Sequence, residues 1–75
     1  MSITEVIDAL YRSEINCSIE SFWDMGFDVK VGDDQNGFKA EKTFRPGQWD
    51  AAARWLDAAT RECYPDSQYA LEGVA

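Results

Sequence analysis

FDVKVGDDQNGFKAEKTF, residues 27–44, decides the fold. Phe27, Val29 and Val31 alternate with Asp28 and Lys30. Phe38, Ala40, Lys42 and Phe44 alternate with Lys39, Glu41 and Thr43. A period of two marks a strand with one buried and one wet face, so the stretch predicts two strands. Lys42 interrupts the second apolar face. That suits an edge strand, or a lysine whose stem lies on apolar surface while its ammonium stays in water.

Between the two runs, VGDDQNGF (residues 31–38) offers either an ion-binding loop or a turn. A calcium loop of the EF-hand kind needs Asp, then Asp or Asn at its third and fifth positions, then glycine. Counted from Asp33, those positions hold Gln35 and Gly37; counted from Asp34, they hold Asn36 and Phe38. Neither register works. Asn36-Gly37 between alternating runs is instead a strong hairpin signal.

Upstream, CSIESFW (residues 17–23) is rich in strand-forming residues. A regular strand puts Cys17, Ile19 and Trp23 on one face and Phe22 on the other, which predicts a bulge or burial on both sides. Asp24-Met25-Gly26 reads as the tight turn into the next strand. Before it, Ser2-Ile3-Thr4-Glu5 fits a capping box. Ile3, Val6, Ile7 and Leu10 then recur at helical spacing, predicting a helix that ends between Arg12 and Asn16. Downstream, Arg45-Pro46-Gly47 stops the sheet, and residues 48–63 form a second helix. Its face runs through Trp49, Ala52, Ala53, Leu56, Ala59 and Cys63. Trp55 falls off that face. Pro65 ends the helix, and residues 66–75 read as a tail docked at Tyr69 and frayed beyond it.

The order predicts a single small α+β domain over residues 1–65. An antiparallel three-stranded meander carries both helices on one face, leaving the other face open. With 75 residues the chain builds one modest core. No apolar run approaches a membrane-spanning length, and MSITEVIDAL lacks the form of a secretory signal, so a cytoplasmic protein is expected. Fourteen acids against seven bases give a net charge of −7, which repels phosphate backbones and anionic lipid. Direct nucleic-acid and membrane binding are therefore not expected.

The chain contains no histidine, which removes the commonest general base and metal ligand. Two distant cysteines, Cys17 and Cys63, make neither a disulfide framework nor a zinc site. No phosphate loop or nucleophile elbow occurs. We expect no enzyme, cofactor or metal. The five acids Glu20, Asp24, Asp28, Asp33 and Asp34 occupy a segment with one base, Lys30. They read as a solvated acidic patch. Bases gather later, from Lys39 to Arg54, and such unevenness orients partners. Tryptophan is enriched at binding hot spots. Trp23 and Trp55, with Phe22 and Lys42, are the candidate protein-binding residues.

The element order resembles that of the double-stranded-RNA-binding domain. That family grips phosphates with lysines at the start of its second helix. The corresponding residues here are GQWDAAARW (47–55), with Asp50 where a base is needed, so the likeness ends at topology. SFWDMGFDVKVGDDQNGF (21–38) with WDAAARWLDAATRECYPDS (49–67) is similar to short uncharacterised bacterial or phage open reading frames of helix–three strands–helix type. That resemblance implies no activity.

Two functions are expected. The first is a small acidic interaction module binding another protein or a second copy of itself, through the open sheet face or an edge strand. The alternative is an acidic phage-type inhibitor of a nucleic-acid enzyme, of the anti-restriction or anti-CRISPR class, whose carboxylates mimic phosphates.

Overall fold

The computed structural model describes residues 1–33, 35 and 37–71. Helix α1 (Ile3–Arg12) leads into strands β1 (Cys17–Phe22), β2 (Gly26–Asp33) and β3 (Gly37–Phe44). Helices α2 (Trp49–Cys63) and α3 (Gln68–Leu71) follow. The strands form one antiparallel sheet in the order β1-β2-β3. The expected α+β meander, with its helices on one face, is the observed architecture.

α1 begins at the capping box. The Glu5 N–H donates to Ser2 Oγ and the Ser2 N–H donates to Glu5 Oε1, at 3.2 and 3.0 Å. The bond from the Ser2 backbone holds the Glu5 carboxyl below the ordinary carboxylate range. The helix closes with Glu14 in the left-handed region (φ 61°). The Ile15 N–H reaches the Leu10 carbonyl (2.9 Å) and the Glu14 N–H reaches that of Tyr11 (3.1 Å). This is a Schellman motif, with buried Leu10 and Ile15 as its apolar pair.

The core is continuous. Phe27, Val29 and Val31 supply the sheet face; Val6, Ala9 and Leu10 come from α1; Ala52, Ala53, Leu56 and Ala59 come from α2. The alanines lack bulk beyond Cβ, so α2 lies close over the sheet. Thr60, the buried polar residue, donates to the Leu56 carbonyl (2.7 Å) and so leaves no orphaned hydroxyl. α3 packs on α2 through Tyr69, which is fully buried and donates to Asp57 Oδ1 (2.6 Å).

Three sequence expectations are corrected. First, β1 pairs regularly and ends at Phe22, so Trp23 belongs to the turn and not to the face of Cys17 and Ile19. Second, Phe38 leaves the face of Ala40, Lys42 and Phe44. Val31 pairs with Ala40 but Gly32 pairs with Phe38, which leaves Lys39 as the extra residue of a β-bulge. The bulge turns Phe38 to the open face, where Lys30 Nζ lies 5.0 Å from its ring. Lys39 turns towards the end of α2, with Nζ 5.5 Å from the Tyr64 ring. Third, Trp49 is not enclosed by the core. It stands at the first turn of α2, 43% exposed, and stacks on Phe27 with centroids 4.0 Å apart.

Asp33 pairs with Gly37, so β2 and β3 form the expected hairpin. Asp34 and Asn36 of its turn lie outside the described residues, as do residues 72–75 of the expected tail.

Candidate functional site

The β1–β2 hairpin closes at Phe22–Gly26, with Trp23, Asp24 and Met25 as its loop. The Met25 N–H donates to the Phe22 carbonyl (2.8 Å). Gly26 takes φ 103°, a left-handed conformation open to glycine at little cost. A side chain there would also strike the Phe44 carbonyl oxygen of β3. The close approach presses this hairpin against the end of β3 and the start of α2.

Large apolar side chains stand exposed around this turn. Trp23 is 95% exposed, Met25 75%, and Phe22 and Trp49 43% each. Phe22, Trp23, Phe27, Pro46, Gly47 and Trp49 line a groove of about 260 Å³. Its floor is aromatic: Phe27 stacks on both Trp49 and Phe44, and Phe44 takes the edge of Trp55 at 6.1 Å. Gln48 Oε1 accepts the Arg45 N–H (3.0 Å) and ties down the Pro46-Gly47 rim.

The four protein-binding candidates separate in space. Phe22 and Trp23 meet at the groove. Trp55 is half-buried and packs against the core from the side. Lys42 projects from the free edge of β3, Nζ 5.7 Å from the Phe44 ring. The sequence reading missed Trp49 as a groove residue and Met25 as an exposed neighbour of Trp23. Their signal was position: one in the turn, the other at the first residue of a helix, both beside the strand end that carries Phe22.

The acidic candidates spread along the ribbon. Asp24 sits in the first turn and Asp33 at the far end of β2, a strand of about 23 Å at 3.3 Å per residue. Asn16 Nδ2 donates to Asp33 Oδ2 (3.0 Å). Glu20 and Asp28 lie on the open face. Lys30 Nζ bonds Glu20 Oε1 (3.1 Å), and the Thr43 hydroxyl donates to Asp28 Oδ1 (2.6 Å). The bond to Glu20 pushes the Lys30 ammonium pKa up. Asp34 lies outside the described residues.

Cys17 and Cys63 are unpaired thiols, and burial pushes the Cys17 thiol up. Among the described residues, no group of three or more metal-ligating side chains gathers, and no helix is long and apolar enough to cross a membrane. No protein-family model, curated protein or solved structure matches the chain.

Proposed function

We propose that this chain is a small, acidic, non-catalytic interaction module. It presents the aromatic groove at the β1–β2 turn to another protein or to a second copy of itself. The observation that carries the reading is Trp23, 95% exposed beside Phe22, Met25 and Trp49. Scattered surface apolar residues need no explanation, but gathered aromatics mark contact sites. Absence of histidine and the solvated, paired state of Glu20 and Asp28 support a non-catalytic role. We read the chain as cytoplasmic, where free Cys17 and Cys63 stay reduced.

Trp23→Ser is the test, because the side chain packs on little in the monomer. Its expected result is an unchanged melting temperature with association lost in light scattering and in crosslinked pull-down. Undiminished association would refute the reading.

The open sheet face favours a second reading. Glu20, Asp28 and Glu41 share it with one base, Lys30. An acidic inhibitor of a nucleic-acid enzyme would use these carboxylates in place of phosphates. It requires binding to a basic protein that weakens as salt rises and as Asp28 is changed to Asn.

A further inference from the structure

β1 is an outer strand with a free side. The Gly32 N–H donates to the Asn16 carbonyl (2.7 Å), which fixes the phase of the β1–β2 ladder. Antiparallel pairs alternate between bonded and non-bonded, so Asn16, Ser18, Glu20 and Phe22 direct their backbone groups into β2. Cys17, Ile19 and Ser21 direct theirs outward. None of the six residues of β1 is buried. The opposite edge, β3, is blunted by Lys39, Glu41, Lys42 and a bulge. β1 is regular and carries Glu20 as its one charge. Proteins normally guard such an edge with charge, a bulge or a cover.

We propose that β1 pairs with β1 of a second copy about a two-fold axis through Ile19, joining two three-stranded sheets into one. The inference rests on the interaction-module reading and names its partner. A two-fold normal to the sheet keeps each face on its own side, so its centre falls at a residue. Centring on Ile19 uses every outward group: Ile19 meets the second copy's Ile19, and Cys17 meets the second copy's Ser21, making about six backbone hydrogen bonds.

Two side-chain relations follow from that register alone. Ser18 comes opposite the second copy's Glu20, in a close non-bonded pair. Ser18 Oγ is the buried side-chain oxygen with no partner among the described residues. Glu20 gives one oxygen to Lys30 and has a second to accept it. Continued past the strand, the register sets the Trp23 turn beside the second copy's Ile15 and Asn16. There, Tyr11, Arg12, Glu14, Ile15 and Asn16 line a cavity of about 550 Å³. An exposed indole and an open cavity, at the two ends of one strand, are brought together by one rotation. The −7 charge of each chain opposes pairing, so salt strengthens this dimer where it would weaken an acid–base complex.

Sedimentation of the full chain over a concentration series, at two salt concentrations, is combined with amide exchange. A dimer tightening with salt is expected. Ile19 and Ser21 amides should exchange at least ten-fold slower at high than at low concentration, while Ser18 and Glu20 amides change little. Ser21→Pro removes an N–H that the monomer does not use. It should weaken the dimer at least ten-fold with the circular dichroism spectrum retained. A monomer up to about 1 mM, or a dimer whose Ile19 and Ser21 amides exchange freely, overturns the proposal. A strict monomer that binds a different protein through Trp23 removes the dimer and keeps the module reading. Concentration-dependent protection of Ile19 that survives Trp23→Ser unchanged keeps the dimer and removes Trp23 as the anchor.

Discussion

The two ends of the sheet are closed by hairpins of the same outline, and held by different forces. At one end Phe22 pairs with Gly26; at the other Asp33 pairs with Gly37. Both glycines take positive φ, 103° and 83°. The first is wedged against the backbone of Phe44, and the second has nothing among the described residues within 4 Å of where a Cβ would stand. Around the first hairpin the contacts are ring on ring: Phe27, Phe44, Trp49 and Trp55. Towards the second they are polar: Asn16 to Asp33, Lys39 over Tyr64, and Tyr69 with Arg61 on Asp57. A closing glycine at positive φ therefore serves both a packed, apolar end and a solvated, polar one. The groove belongs to the packed end, where stacked rings already fill the space beneath it.

The largest effect expected from this contrast is at Gly26. Gly26→Ala adds a left-handed alanine and a backbone collision, together about 3–4 kcal/mol of lost stability. A chain of this length has roughly 4–11 kcal/mol to lose. Denaturant unfolding measures it, and a loss below about 1 kcal/mol would mean that the first hairpin is no more loaded than the second.

pH separates the two ends next. Burial pushes the Tyr69 phenol well above its ordinary range, and its hydrogen bond to Asp57 pushes it further. A raised acid pKa favours the neutral form in the fold. Its stabilisation is complete below the unfolded value of about 10 and is lost as pH rises beyond it. Thermal unfolding from pH 7 to 12 should show stability falling above pH 10. In Tyr69→Phe the fall should be shallower, after a loss of about 1–2 kcal/mol at pH 7 from the missing bond. Equal alkaline slopes in both proteins would show that α3 does not lock the polar end.

Legibility in the sequence divides along similar lines. β2, β3, α1 and its capping box were readable because each is written in neighbouring residues: alternation, helical spacing, a cap three positions from its glutamate. The Lys39 bulge was not. One extra residue leaves the alternation of Phe38, Ala40, Lys42 and Phe44 intact on paper while turning Phe38 to the other face. The tryptophans were reversed for a related reason. Helical phase put Trp49 on the inner face of α2, which is true of its direction. Its depth depends on where the helix begins over the sheet, and it begins at the rim. Trp55 is off that face, yet Phe44 at the edge of the sheet reaches it. Of the groove, only Phe22 and Trp23 could be nominated. The outward phase of Cys17, Ile19 and Ser21 needed the strand order and the Asn16 bond, neither of which residue types encode.

Gly37 supplies the smaller counterpart of Gly26. Gly37→Ala meets no atoms of the described residues, so the positive φ sets the cost, about 1 kcal/mol. The same unfolding measurement should therefore rank the two alanine variants at least two-fold apart. Near-equal losses would assign the Gly26 effect to backbone conformation, with no part for contact with β3.

The smallest effect sits at the polar end, where α1 turns into β1. Glu14 holds the left-handed position that glycine occupies in most helix ends of this type. Its Schellman hydrogen bonds come from the backbone and survive substitution. Glu14→Gly therefore relieves backbone strain, while the unfolded chain gains freedom that offsets part of the relief. The net is a gain of about 0.5 kcal/mol, read as a small rise in the denaturant midpoint at unchanged slope. Glu14 also lines the cavity beside Ile15 and Asn16. A destabilised Glu14→Gly protein would show that the carboxylate makes a contact worth more than the strain, and that the polar end is more tightly determined than its exposure suggests.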